Sequence, residues 1–103
     1  LLSMPGVATP SEGFAALAAG AQALKLFPAE MLGPPVHKAW RAVFGPATPM
    51  FAVGGVGAHN LAAFKAAGAT GVGTGSSLYA PGVSASDITA GASAIVTAWD
   101  AAV

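Results

Sequence analysis

Cysteine is absent from the 103 residues of this chain. A disulfide framework and a thiolate zinc site are therefore excluded. The two histidines, His37 and His59, are widely separated and have no carboxylate at ligand spacing, so the sequence predicts no metal site. No cofactor is indicated either. The lack of cysteine is compatible with the cytosol, and we expect a cytoplasmic location.

Charged residues make up only 8% of the chain, with four basic and four acidic side chains. Proteins that bind nucleic acids or anionic membranes carry basic clusters, and this sequence has none. No apolar run approaches the roughly 18 residues of a membrane span, because glycine, proline or a charge interrupts each one. We therefore expect neither nucleic acid nor a membrane as a partner.

Hydrophobic residues are abundant, at 54% of the chain. That composition supports a buried core and argues against disorder, which combines low hydrophobicity with high net charge. A surface so poor in charge indicates apolar faces that further chain or partner subunits cover. The abrupt start at Leu1 is interpreted in the same way, as the middle of a longer domain.

Short apolar runs alternate along the chain with alanine-rich segments that end at glycine. Residues 9–12 match a capping box with proline at the first helical position, and Gly20 can adopt the left-handed conformation past the helix end. Pro5-Gly6 is expected to form the turn after the first strand. The pattern predicts strands at residues 1–4, 21–27, 50–53 and 70–74, and helices at residues 10–19, 35–44, 58–67 and 85–103.

This alternation of strands and helices predicts an α/β fold with a parallel sheet. Four βα units have two possible closures: half of an eight-stranded (β/α)8 TIM barrel, or a small doubly wound sheet. A complete barrel typically needs about 250 residues. The half barrel accounts better for the abrupt start and the scarcity of charge. We therefore expect residues 1–103 to form half of a single TIM-barrel domain.

Lys25 is the most unusual residue, because it stands in the middle of a predicted buried strand. The side-chain period of a strand places it on the face opposite to Leu24 and Leu26. Desolvation in a barrel interior favours a neutral amine, which can attack a carbonyl and form a Schiff base. The alternative is a lysine at a strand end that reaches solvent or pairs with Glu30.

Glycine follows two successive strands, as Gly54-Gly55 and again as Gly75 before Ser76. Glycine lets backbone amides approach a ligand closely, and amides at a helix start bind phosphate. In eight-stranded barrels the loops after strands seven and eight frequently build the phosphate site. The alternative is that tight turns between a strand and a helix simply require glycine. Pro28 and Glu30, just past the Lys25 strand, are candidate rim residues of the same site. For Glu30 the alternative is a solvated loop residue.

The motifs also resemble a known family. Residues 20–30 (GAQALKLFPAE) look like the Schiff-base segment of the 2-dehydro-3-deoxy-phosphogluconate/phosphogalactonate aldolases. Residues 5–12 (PGVATPSE), 53–56 (VGGV) and 75–79 (GSSLY) follow in the order of that family. The resemblance covers essentially all of the chain.

The resemblance implies the C-terminal half, strands five to eight, of a (β/α)8 barrel whose family members are commonly homotrimers. It implies that Lys25 forms an imine with the ketone carbon of a phosphorylated 2-keto-3-deoxy sugar acid, and that pyruvate is a product. The amides around Gly54, Gly55, Gly75 and Ser76 would hold the terminal phosphate. The family's general acid/base glutamate, a substrate arginine and the carboxylate-binding loop lie in the other half, and no residue here matches them.

Val53 bears on the branch of the family. Phosphogluconate-type members usually carry threonine before the Gly-Gly pair, where it meets the C4 hydroxyl, whereas phosphogalactonate-type members carry valine. The resemblance therefore favours a phosphogalactonate-type class I aldolase that yields pyruvate and glyceraldehyde 3-phosphate. The alternatives are the phosphogluconate branch, in which the pair Ala29-Glu30 is common, a phosphate-binding barrel isomerase or synthase, and a non-catalytic half-barrel fragment.

Overall fold

A computed structural model describes all residues, 1–103, as four strands and four helices in strict alternation. The strands are parallel and lie in the order β1-β2-β3-β4, which confirms the predicted α/β sheet of four βα units. No helix combines the length and the apolar character needed to cross a lipid bilayer. The elements are β1 Gly6–Val7, α1 Pro10–Ala18, β2 Leu24–Leu26, α2 Ala29–Phe44, β3 Met50–Val53, α3 Leu61–Ala66, β4 Gly71–Gly73 and α4 Ala85–Ala101.

The predicted capping box opens α1. The amide of Glu12 donates to Oγ1 of Thr9 over 3.2 Å, as expected. The Glu12 carboxylate accepts from the Ala8 amide, also over 3.2 Å, rather than from the amide of Thr9. Gly20 follows the helix with φ at 100°, in the left-handed region that the sequence predicts for it.

The predicted first strand at residues 1–4 is wrong. Leu1 and Leu2 are exposed, and β1 is Gly6–Val7, so that Pro5-Gly6 continues an extended segment instead of turning. The carbonyls of Ser3 and Pro5 do accept backbone hydrogen bonds from the β2 segment. The strand lies further along because Val7 is the residue that packs into the core, where it is 4% exposed.

Two helices also differ from the prediction. The second begins at Ala29 rather than at residue 35, and Gly33, with φ at 77°, interrupts it. The prolines that follow Gly33 suit the start of a second helical segment, since proline is accommodated in the first helical turn. The third helix begins at Leu61 rather than at residue 58, because the side chain of Asn60 accepts from the Gly57 amide and holds this segment in a turn. His59 therefore lies in a turn before α3.

The two faces of the sheet differ in character. Leu24, Leu26, Met50 and Ala52 face the helices, and none of them is more than 1% exposed. They pack in two clusters against residues of the helices. Because strand side chains alternate, the residues between them project from the opposite face, which we call the open face. The open face carries Lys25, Phe51 and Val53, all half-buried, with glycine beside them on β1 and β4.

Candidate active site

Lys25 occupies the centre of β2, on the open face of the sheet. Its neighbours Leu24 and Leu26 are buried on the helix side, whereas Lys25 is half-buried. The strand register places it between Gly6 on β1 and Phe51 on β3. The lysine thus projects away from the leucines, as its position in the sequence predicts.

The amine of Lys25 leans toward β1. A β-carbon built on Gly6 would lie 3.1 Å from Cε and 3.8 Å from Nζ of the lysine. The centroid of the Phe27 ring is 5.7 Å from Nζ. Glu30, the alternative partner, instead lies against Gly55, where its Cβ is 2.7 Å from the position of a built β-carbon. Bare backbone and an aromatic ring therefore flank the amine, rather than this carboxylate.

A pocket of about 240 Å³ opens where β3 and β4 end. Its walls are Phe27, the end of β3, and the two loops that follow β3 and β4, which we call the β3–α3 loop (residues 54–60) and the β4–α4 loop (residues 74–84). The carboxyl ends of parallel strands are where barrel enzymes place their sites. Five residues singled out from the sequence line this one pocket: Val53, Gly54, Gly55, Gly75 and Ser76.

Backbone amides in both loops are available to a ligand. The N–H groups of Gly55, Val56, Gly75 and Ser76 donate no hydrogen bond within the chain. Free amides grouped at the start of a helix or in a turn form a concavity that favours anions. The pocket wall contains no charged side chain, so its polar groups are the backbone amides and the hydroxyls of Ser76 and Ser77.

Both rim candidates lie against the Gly54-Gly55 pair. Gly54 and Gly55 have φ values of 107° and 67°, which glycine adopts without strain. A β-carbon on Gly54 would lie 3.1 Å from Cα of Pro28, and one on Gly55 would overlap the Glu30 side chain. Glu30 lies in the first turn of α2, and its amide donates to the Gly54 carbonyl over 3.0 Å. The pair is glycine for reasons of both conformation and space.

Two side chains that the sequence analysis did not single out hold the loops in place. Asn60 accepts from the Gly57 amide and donates to the Gly55 carbonyl, each over 2.9 Å. Ser77 donates from Oγ to the Val56 carbonyl over 2.8 Å and so joins the two loops. An asparagine within a glycine-rich segment is a turn signal that the sequence offered. The bond of Ser77 had no such signal, because its partner is distant in sequence.

His37 lies on α2, outside both loops. Its side chain is fully buried, and neither ring nitrogen has a hydrogen-bond partner. Desolvation, with a contribution from the Arg41 charge, lowers the pKa of His37 to about 4. The nearby Gly68 carbonyl already accepts two bonds from Arg41, over 2.6 and 3.0 Å. The structure nowhere groups three histidine or carboxylate side chains as a metal ion would require.

Comparison with known proteins identifies the family to which a chain with this fold and this order of motifs belongs. The family model of KDPG and KHG aldolases matches residues 1–97 of the chain. The chain belongs to this aldolase family. The chain is 50% identical, over 98% of its own length, to a probable 2-dehydro-3-deoxy-6-phosphogalactonate aldolase of Rhizobium meliloti (strain 1021). It is 48% identical, over 96% of its length, to the 2-dehydro-3-deoxy-6-phosphogalactonate aldolase of Escherichia coli (strain K12).

A solved structure confirms the fold of this KDPG and KHG aldolase family member. The chain superimposes on a structure described as native KDPGal with a TM-score of 0.96 and 46% identity, covering 99% of this chain and 50% of the other. The chain also spans 48% of the length of each of the two curated relatives. Its four βα units therefore match half of a KDPG and KHG aldolase fold, as the resemblance implied.

Proposed function

We propose that this chain supplies the Schiff-base half of a class I aldolase. The reaction is cleavage of 2-dehydro-3-deoxy-6-phosphogalactonate to pyruvate and glyceraldehyde 3-phosphate. One observation carries the proposal: a mid-strand lysine lies on the open face, and the next two strands end at a pocket lined by free backbone amides. The names of the two curated relatives support the choice of substrate.

The proposed architecture is a closed (β/α)8 barrel in which residues 1–103 form the C-terminal half, strands five to eight. The open face carries the reactive lysine and would become the barrel interior when four further strands close the sheet. Closure would take Lys25 out of water, and desolvation favours the neutral amine that a Schiff base requires. The half-length match to the relatives supports this arrangement.

In this mechanism Nζ of Lys25 adds to the C2 ketone of the substrate, and loss of water gives a protonated imine. The C3–C4 bond then breaks, and its electron pair moves into the imine to form an enamine on the lysine. A base outside this chain takes the proton of the C4 hydroxyl, and glyceraldehyde 3-phosphate leaves. Protonation of the enamine at C3 and hydrolysis of the imine release pyruvate and restore the amine. The positive imine is the electrostatic sink for the developing carbanion.

The phosphate would bind in the pocket between the β3–α3 and β4–α4 loops. The free amides of Gly55, Gly75 and Ser76 support this assignment, because they present partial positive charge without a bulky side chain. Gly54, whose left-handed backbone turns the chain at the end of β3, shapes the same wall. Binding the remote phosphate would fix the distance of the reacting carbon from the lysine.

Val53 is the proposed specificity residue. It is the last residue of β3, half-buried, and its side chain forms part of the pocket wall. An apolar side chain offers no hydrogen bond to a C4 hydroxyl, whereas a site built to bond that group discriminates strongly. The phosphogalactonate branch remains favoured over the phosphogluconate branch on this ground. Pro28 and Glu30 are proposed as rim residues only.

The remaining parts of the catalyst are assigned to the other half of the barrel. They are the general acid/base, the groups that hold the substrate carboxylate, and an arginine. A homotrimer and a cytoplasmic location stay predictions. No cofactor or metal takes part in this proposal, since the imine supplies the electron sink.

The test is the release of pyruvate by the intact enzyme, followed with lactate dehydrogenase, on the two C4 epimers and on the unphosphorylated acid. We expect the phosphogalactonate epimer to give the highest kcat/KM. Release of no pyruvate from either epimer would contradict the proposal and favour the isomerase or synthase alternative. A higher kcat/KM for the other epimer would retain the aldolase and overturn the branch.

A further inference from the structure

The open face of β4 carries no side chains. Its two residues that project there, Gly71 and Gly73, are both glycine, and they pair in register with Phe51 and Val53 of β3. The side chains of β3 lean over these glycines. A β-carbon built on Gly71 would lie 2.8 Å from Cε1 of Phe51.

Val53 rests on Gly73 in the same way. A β-carbon on Gly73 would lie 2.7 Å from Cγ2, 3.4 Å from Cγ1 and 3.6 Å from Cβ of the valine. Neither Gly71 nor Gly73 has a positive φ, so an L side chain is compatible with the backbone at both positions. What excludes a side chain at residue 73 is therefore the space that Val53 occupies.

The position of Val53 matters because its side chain is part of the pocket wall, whereas that of Phe51 is not. Valine has a branched Cβ that restricts its χ1 angle, so it has little freedom to turn away from a new methyl group. A methyl at residue 73 would push Val53 away from β4, toward the neighbouring strand β2. There it would approach Phe27, another apolar residue of the pocket wall.

We propose that Gly73 is a positioning residue for substrate specificity: by leaving space beside β4, it sets where the methyl groups of Val53 meet the C4 centre of the substrate. This inference rests on the proposed aldolase function. Gly73 lies outside the pocket and would act on the selectivity between the two C4 epimers only through its neighbour Val53.

The experiment compares two matched substitutions in the intact enzyme. Gly73→Ala and Gly71→Ala add the same methyl group, on the same strand and face, against neighbours at almost equal distances. We expect Gly73→Ala to change the ratio of kcat/KM for the two C4 epimers by about tenfold, the effect of one misplaced methyl group in a close-fitting pocket. Gly71→Ala acts on Phe51, whose register partner on β2 is Lys25, so any loss of kcat should be equal for the two epimers. Their ratio should stay as it is in the wild type.

A double-mutant cycle separates positioning from general disturbance. In the Val53→Ala background the valine methyl groups are gone, so adding Gly73→Ala should leave the epimer ratio of Val53→Ala unchanged. This comparison also holds if Gly73→Ala alone fails to fold, because the smaller residue at 53 removes the overlap. A further change of the ratio in the double variant would overturn the inference, as would an unchanged ratio in Gly73→Ala. A wild-type enzyme that cleaves neither epimer would instead contradict the proposed function.

Discussion

Oγ of Ser77 donates a hydrogen bond of 2.8 Å to the carbonyl oxygen of Val56. It is the one side-chain hydrogen bond that joins the two glycine-containing loops at the carboxyl ends of β3 and β4. Asn60 adds two hydrogen bonds within the β3–α3 loop. Together these bonds fix the distance between the free amides on the two sides of the pocket. A rigid, preformed group of amides is what binding of a phosphate by backbone alone requires.

The first prediction concerns Gly75, which lies in the pocket wall with open space around it. A β-carbon built there meets no atom within 4 Å, and its φ is not positive, so Gly75→Val should fold normally. The larger side chain would cover the free amides of Gly75 and Ser76. We expect KM for the phosphorylated substrate to rise about tenfold or more, the cost of losing hydrogen bonds to a charged group.

The control for Gly75→Val is the unphosphorylated acid. Its KM should change little, because it has no group to place between the loops. Equal effects on both substrates, or an unchanged KM for the phosphorylated one, would mean that Gly75 serves only the turn.

The second prediction concerns Val53, at the end of β3. Val53→Thr replaces one methyl group by a hydroxyl of nearly the same size, so the contact with Gly73 is kept. The new hydroxyl can bond a C4 hydroxyl, and we expect kcat/KM to shift toward the phosphogluconate epimer by about tenfold or more. If the ratio for the two epimers stays within experimental error, the choice of branch from this residue loses its physical basis.

The third prediction concerns His37 and the stability of the fold. Burial lowers the pKa of His37 from 6.5 to about 4, so between these values the unfolded chain binds a proton that the folded chain does not. The stability that neutral His37 contributes is complete above 6.5, its pKa in the unfolded chain. It is lost as the pH falls toward 4. We expect the free energy of unfolding to decrease by about 3 kcal/mol across this window through His37 alone.

Denaturant unfolding of the wild type and of His37→Leu, near neutral pH and near pH 4, checks this. The variant lacks the titrating group, and its loss of stability with acid should be smaller than that of the wild type by about that amount. If the two proteins lose the same unfolding free energy between neutral pH and pH 4, a group other than His37 is responsible for the loss of stability in acid.

Some elements were predictable from local signals. The bounds of β3 are those predicted, because Pro49 and Gly54 bracket a short apolar run. The orientation of Lys25 followed from the two-residue period of a strand. The apolar pair Leu1-Leu2 indicates a strand at residues 1–4, yet both side chains are exposed. Only the register with β2 selects Gly6–Val7 as β1.

The finer features of the site depend on register rather than on local sequence. The contact of Val53 with Gly73 joins residues 20 positions apart, and the bond from Ser77 to Val56 spans 21. No propensity or motif encodes such pairs. Glycines on β4 could be read from the sequence as turn or ligand residues, but not as space for the side chains of β3.

Lys25 is the residue proposed to form an imine with the substrate ketone. Among the three lysines, Lys25 alone is on a strand, whereas Lys38 lies on α2 and Lys65 on α3. Nζ of Lys65 donates to the carbonyl of Trp99 on α4 over 2.7 Å, so this lysine is engaged on the helix side of the sheet and is a useful internal control. Lys25→Arg keeps the positive charge but cannot form an imine.

The most direct measurement is peptide mapping of the intact enzyme after incubation with pyruvate and borohydride, which reduces an imine to a stable amine. We predict irreversible inactivation, with the added mass on Lys25 and none on Lys38 or Lys65. The Lys25→Arg variant should show neither trapping at residue 25 nor cleavage of substrate. Added mass on another lysine, or cleavage that survives Lys25→Arg, would contradict the account and leave the fold assignment alone standing.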